Sequence, residues 1–108
     1  MIFPNTDNGV LLQEIHDAGI DLTVAHDIDF FLNFPTKRDA ENMRKTVESN
    51  DNSATFSMVE NDTNDGWVLC CTIHIIPTHD KITSTEIELD ELSLKHNGIG
   101  DGWGLMEP

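Results

Sequence analysis

The tripeptide Asp-Gly-Trp occurs twice in the chain and constrains the fold more than any other local feature. Asp65-Gly66-Trp67 precedes a long apolar run, and Asp101-Gly102-Trp103 lies near the end of the sequence. Asp-Gly favours a tight turn because glycine accepts a positive φ and aspartate can hydrogen-bond within its own turn. The tryptophan that follows supplies a large apolar anchor. Both copies therefore predict a turn followed by a strand.

Residues 26–34 alternate in a way typical of a strand with one buried face. One face carries the apolar side chains Ile28, Phe30, Leu32 and Phe34. The other face carries Asp27, Asp29, Phe31 and Asn33.

Two helices are indicated on either side of this strand. The first is predicted to begin at a cap provided by Asp7 or Asn8 and to end at Gly19, since glycine is common just past a helix C-terminus. The second is predicted over residues 37–49 behind Thr36, whose hydroxyl can cap it.

A third helix is predicted from Thr83 or Ser84 to a residue before Gly98. The Lys-His-Asn-Gly ending favours a helix. Apolar and polar residues alternate over residues 87–90, so a strand is an alternative prediction for that segment.

The remaining strands are predicted at residues 55–60, 67–76 and 102–106. The resulting order, α-β-α-β-β-α-β, contains the split β-α-β arrangement of a ferredoxin-like domain behind one extra helix. We therefore expect one α+β domain over residues 1–108, a ferredoxin-like sandwich with a four-stranded antiparallel sheet. Its first and third strands, the most apolar, should be central.

The charge of the chain restricts its partners. Six Lys and Arg face 20 Asp and Glu, for a formal net charge of −14. Such a chain should repel nucleic acid and anionic membranes, and it should attract a basic protein. A solvated acidic surface with no dedicated partner is the alternative.

The two cysteines, Cys70 and Cys71, are adjacent in a predicted strand, so their side chains point to opposite faces and cannot easily pair. Unpaired thiols fit a reducing compartment. We find no secretion signal at the N-terminus and expect a cytoplasmic protein.

The sequence offers little for metal binding or nucleophilic catalysis. The nearest metal-ligand set is Cys71, His74 and His79, but residues three apart on a strand face opposite ways. A catalytic cysteine needs an electropositive, partly exposed setting, whereas both thiols lie in an apolar run. We predict no catalytic residue, no metal site and no cofactor.

Two acidic groups are candidates for binding. Asp27 and Asp29 share a predicted face with Phe31, which could form a pocket, an interface or simply a solvated surface. The second group lies on the third helix and is either a solvated face or a contact for a basic partner. It comprises Glu86, Glu88, Asp90 and Glu91.

Three segments together resemble the RraB family, the protein regulators of ribonuclease E activity. They are Phe30 to Phe34 followed by a helix, Val68-Leu-Cys-Cys71, and Ile99-Gly-Asp-Gly-Trp-Gly104, within a similarity that covers about residues 8–106. In the last segment, the family motif corresponds to Asp101, Gly102, Trp103 and Gly104.

The resemblance implies a variant of the ferredoxin-like fold and a non-enzymatic cytoplasmic protein. It implies that the partner is ribonuclease E, bound at a basic, largely disordered scaffold region, and that binding inhibits the enzyme or remodels its complex. Charge complementarity with an acidic regulator is physically reasonable. Two alternatives stay open: a ligand-binding or enzymatic domain that uses the exposed sheet face, and a self-associating structural module.

Overall fold

Three helices and four strands follow one another in the computed structural model, which describes residues 5–50, 54–61 and 66–105. Their bounds are α1 (Asp7–Asp17), β1 (His26–Phe34), α2 (Lys37–Asn50), β2 (Thr55–Asn61), β3 (Gly66–Ile75), α3 (His79–Leu94) and β4 (Ile99–Leu105). The predicted element order and the α+β class are confirmed.

The four strands form one antiparallel sheet in the order β2-β3-β1-β4, consistent with a ferredoxin-like sandwich. The two central strands are β1 and β3, as predicted from their apolar character. The edges of the sheet are therefore β2 on one side and β4 on the other.

One face of the sheet is covered by the helices. Phe30 lies opposite Cys71 on β3 and Trp103 on β4, so these three side chains share that face. All three helices contribute buried residues to the same apolar core. The fully buried core residues include Leu12, Ile28, Phe30, Leu32, Ala40, Met43, Leu69, Cys71 and Ile82. The opposite face, which carries Asp27, Asp29 and Phe31, is called the open sheet face below.

The cap predicted for α1 is wrong, and the predicted C-terminal end is confirmed. Thr6, rather than Asp7 or Asn8, caps the helix, since its hydroxyl accepts a hydrogen bond from the Gly9 backbone N–H. At the other end Gly19 has φ +92°. The backbone N–H groups of Gly19 and of the following Ile20 donate back into the last turn, as in a Schellman motif.

The start predicted for α3 is wrong. The helix begins at His79, because the Thr78 hydroxyl caps it by accepting from the Lys81 backbone N–H. The predicted start at Thr83 or Ser84 lies inside the helix. The strand alternative over residues 87–90 is also wrong, because Leu89 is buried on the helical side that packs onto the sheet.

The two Asp-Gly-Trp copies differ in structure. β3 begins at Gly66, one residue before the predicted start, and Asp65 lies outside the described residues. The second copy lies inside β4, which begins at Ile99 and not at residue 102. Gly102 has φ +92°, and the register of β4 on β1 shifts between Phe30 and Leu32. The second copy therefore forms a β-bulge and not a turn before a strand.

Candidate functional site

The four carboxylates predicted on α3 divide into two pairs. Glu86 and Asp90 are half-buried and one helical turn apart, so they share one side of the helix. Glu88 and Glu91 are exposed on other parts of the helix surface. The structure therefore brings the four onto one helix without placing them on one face.

The side of α3 that carries Glu86 and Asp90 packs towards α1 and β4. The Glu86 carboxylate accepts a hydrogen bond of 3.1 Å from the amide of Asn8 on α1. Asp90 lies over Gly100 of β4, where a Cβ atom would overlap the carboxylate. Burial raises the pKa of the Asp90 carboxyl. Both side chains thus contribute to packing between elements.

Asn8 joins three elements, a role that its position in the sequence does not reveal. Its Nδ2 donates to Glu86 Oε1 and to Thr83 Oγ1, each at 3.1 Å. Its Oδ1 accepts from the indole N–H of Trp103 at 3.0 Å. The single amide therefore fixes α1 against α3 and β4.

The exposed surfaces of α1 and α3 form what we call the acidic helical layer. α1 carries three carboxylates and no lysine or arginine, and α3 carries five carboxylates and one lysine. The exposed residues of this layer are Asp7, Val10, Glu14, His16, Asp17, Asp80, Lys81, Ser84, Ile87, Glu88, Glu91 and Leu94. By contrast, four of the six basic residues of the chain lie on α2.

Exposed apolar side chains lie among these carboxylates. The exposed fractions of Ile87 and Leu94 are 53% and 67%. They flank Glu91 with helical spacing of four and three residues, so the three residues share one stripe of α3. This stripe was not predicted from the sequence, where only the carboxylates of α3 stood out as candidate contacts.

On the open sheet face, both predicted aspartates are joined to β3. Thr72 Oγ1 donates to Asp29 Oδ1 at 2.6 Å, and His74 Nδ1 lies 2.9 Å from Asp27 Oδ1. These contacts pair residues directly opposite in the register of β1 and β3. The two carboxylates therefore contribute to strand pairing through their side chains.

Cys70 lies on the open sheet face and is half-buried, whereas Cys71 is buried in the core. Burial, and then the negative charge of Asp29, raises the pKa of the Cys70 thiol. A raised pKa lowers the thiolate fraction at neutral pH, and the thiolate is the reactive form. The setting of Cys70 thus does not activate it as a nucleophile.

Phe31 is half-buried at the centre of the open sheet face, beside Gly104 of β4. A Cβ atom at Gly104 would lie 3.8 Å from Phe31 Cε2, in ordinary contact with the ring. The side chains that α1, α2 and α3 bury contact the opposite face of the sheet. Within the described residues, no helix covers Phe31.

The segment Asp101-Gly102-Trp103-Gly104, on which the resemblance was based, lies within β4. Trp103 is 8% exposed, packs in the core and donates its indole N–H to Asn8. Gly102 adopts the positive φ of the bulge, which an L side chain rarely adopts. Asp101 is exposed beside it, and Gly104 follows Trp103.

No group of three or more His, Cys, Asp or Glu in the described part of the chain is placed to hold a metal ion. Among the same residues, no helix is both long and apolar enough to cross a membrane.

Comparison with known proteins gives one family. The family model described as RraB, regulator of ribonuclease activity B, matches residues 5–105. A comparison with curated protein sequences gives no significant match. The matched region contains every described helix and strand.

Proposed function

The chain belongs to the RraB family of regulators of ribonuclease activity, and we propose that it acts without catalysis, by binding a basic segment of a ribonuclease. The acidic helical layer is the proposed contact surface. The resemblance noted in the sequence points to ribonuclease E, through its basic scaffold region, as the partner.

The uneven charge of the helices is the observation that carries this proposal. The net charge of −14 is concentrated away from α2, and α1 and α3 together have eight carboxylates against one lysine. A surface of one sign raises the association rate of a partner of opposite sign and orients it. A disordered basic segment can lie along such a surface and become ordered on binding.

The apolar residues of α3 supply the short-range part of the contact. Ile87 and Leu94 expose apolar surface beside the Glu91 carboxylate. Burying that surface stabilises a complex that charge alone would hold only at low salt. The exposed residues Glu88 and Glu91 are therefore better placed to contact a partner than Glu86 and Asp90, which pack against α1 and β4.

The proposal is tested by capture of a purified scaffold fragment of ribonuclease E at low and at high salt. The variant Glu88→Gln/Glu91→Gln should weaken capture about three- to tenfold at low salt, since each exposed ion pair contributes up to about 1 kcal/mol. The difference from the unmodified protein should shrink as salt rises. Failure of the unmodified protein to capture the fragment at low salt would refute the proposal.

A matched control is the variant Asp27→Asn/Asp29→Asn, which changes the net charge by the same amount on the open sheet face. Unchanged capture by this control supports the helical layer. An equal loss in both variants would mean that net charge alone is responsible, and a loss in the control only would move the contact to the open sheet face.

A second candidate contact is the open sheet face itself, favoured by the half-buried Phe31, which no described helix covers. It could receive a small ligand or a second copy of the chain. Sedimentation of the protein and of Phe31→Ser tests the second copy: a dimer that the substitution converts to a monomer would support it.

A further inference from the structure

A groove of about 270 Å³ lies between the C-terminal half of α1 and the edge strand β4. One wall consists of Leu11, Ile15 and Ile20, and the other consists of Trp103 and Leu105. The Schellman motif at the end of α1 turns the chain so that the backbone N–H of Ile20 donates to the Ile15 carbonyl, which places these two side chains together.

The chemistry of the groove differs between its walls and its rim. The lining side chains just named are all apolar or aromatic, and four of the five are only half-buried. At the rim, the exposed Glu14 lines the groove and supplies its carboxylate. The groove is therefore apolar inside and negatively charged at its opening.

The volume of the groove limits what it can hold. Pockets that bind drug-sized molecules or cofactors typically enclose roughly 300–1,000 Å³. A groove of about 270 Å³ that opens at the surface is better matched to one large side chain from a peptide. A carboxylate rim favours lysine or arginine on either side of that side chain.

We propose that this groove binds one leucine-sized or aromatic side chain of a basic peptide segment, with a flanking lysine or arginine facing Glu14 and the others facing the acidic helical layer. The inference rests on the proposed function, because it describes how the bound ribonuclease segment is recognised. It adds a defined anchoring site on α1 and β4 to the diffuse attraction of the acidic helical layer. Pockets that bury a single anchor commonly dominate the binding energy of an interface.

The first test uses two synthetic seven-residue peptides with the full protein. Each has two basic residues on either side of a central tripeptide, and the middle residue is leucine in one peptide and alanine in the other. The leucine peptide should bind roughly tenfold more tightly, since burial of the larger side chain removes more apolar surface from water. Equal affinities, or no binding of either peptide, would overturn the inference.

The two tryptophans give a site-specific signal in the same titration. Trp103 lines the groove, whereas Trp67 lies on β3 with Lys37 over its ring. In a nitrogen-15 spectrum, the leucine peptide should shift the Trp103 indole resonance and leave that of Trp67 in place. The variant Trp67→Phe assigns the two resonances. A shift of the Trp67 resonance alone would overturn the inference.

The second test fills the groove. Ala18 is exposed at the edge of the groove, so the ring of Ala18→Phe should occupy the groove and lower the affinity for the leucine peptide at least tenfold. Thr55→Phe adds the same ring to an exposed position on β2 and should have no effect. Glu14→Lys should lower the affinity for both peptides. Glu60→Lys makes the same charge change on β2 and should lower these affinities much less. If Ala18→Phe binds the leucine peptide like the unmodified protein, the inference is overturned.

Failure of this inference and failure of the proposed function can be told apart. If Ala18→Phe and the unmodified protein capture the ribonuclease E fragment equally, the groove is not the anchoring site, and the proposed function stands. If the leucine peptide binds in the groove but the fragment is not captured, the proposed function fails, and the groove remains a site for basic peptides.

Discussion

Substitution of Asn8 by alanine should loosen α1 from the rest of the protein. The Asn8 amide makes three hydrogen bonds to other elements: two donated to Thr83 and Glu86, and one accepted from Trp103. Asn8→Ala removes all three at once. Because α1 forms one wall of the groove and part of the acidic helical layer, the substitution links the stability of the fold to both proposed binding surfaces.

The largest part of the expected loss in the free energy of unfolding comes from the indole N–H of Trp103. Its side chain is 8% exposed, so the indole N–H has little access to water once the Asn8 oxygen is gone. An unpaired buried donor costs about 1–3 kcal/mol, and a half-buried hydrogen bond contributes about 0.5–1.5 kcal/mol. These ranges sum to about 2–6 kcal/mol. We expect a loss near the lower end, about 2–3 kcal/mol, because the half-buried Thr83 and Glu86 can hydrogen-bond to water instead; for a domain of this size that lowers Tm by roughly 8–15 °C.

The free energy of unfolding is best measured by urea denaturation, with tryptophan fluorescence and circular dichroism as two probes. Asn42→Ala on α2 is the matched control, because Asn42 is exposed and no hydrogen bond of its side chain is found within the described residues. This control should be neutral or slightly stabilising, since alanine has the higher helix propensity. A double-mutant cycle with Trp103→Phe isolates the indole bond, whose coupling energy should be about 1 kcal/mol.

Two results would refute this reasoning. A loss of less than about 0.5 kcal/mol for Asn8→Ala would mean that the three hydrogen bonds do not hold α1 in place. A coupling energy near zero would mean that the indole N–H of Trp103 does not depend on Asn8. The two outcomes are independent, because the cycle removes the contributions of Thr83 and Glu86.

Three further predictions concern β4, α3 and the connection between them. Gly98→Ala should destabilise the fold by about 1–3 kcal/mol in urea denaturation, because a Cβ atom would overlap the buried Phe34 ring and lie 2.9 Å from a backbone oxygen. Gly102→Ala should cost about 1–2 kcal/mol in the same assay from its φ of +92° alone, since a Cβ atom there meets nothing within 4 Å. Burial raises the pKa of the Asp90 carboxyl, so its charged form opposes folding. Asp90→Asn should therefore be more stable than the unmodified protein at pH 7, and the difference should fall as the pH drops towards 3.8, the ordinary pKa of an aspartate. A difference that grows on acidification would contradict this sign.

Much of the fold was predictable from local patterns. The alternation over β1 places Phe30 in the core and Phe31 on the open sheet face, and the structure confirms both positions. The Thr36 cap and the positive φ of Gly19 are also confirmed, because both depend on interactions within a few residues. Period and capping are local properties of a chain, and they can be predicted without knowledge of its tertiary contacts.

The wrong predictions arose where a local sequence signal is compatible with more than one structure. Thr78, Thr83 and Ser84 can each cap a helix. Thr78 is the residue that caps α3, and the helix that begins there includes Ile82, which is fully buried in the core. The Asp101-Gly102 pair is compatible with a turn and with a β-bulge, and it forms the bulge because β4 pairs with β1 on both sides of it. In both cases burial and strand pairing, which are long-range, overrode a short-range preference.

The order of the elements, the central position of β1 and β3 and the acidic net charge follow from the amino-acid sequence alone. These features depend on composition, periodicity and turn residues, which neighbouring residues establish. Tertiary contacts, in contrast, establish which carboxylates of α3 face solvent, where Asn8 joins three elements, and that an apolar groove with an acidic rim lies between α1 and β4. Those features depend on side chains up to 95 positions apart, as in the bond between Trp103 and Asn8, and no local pattern encodes such a distance.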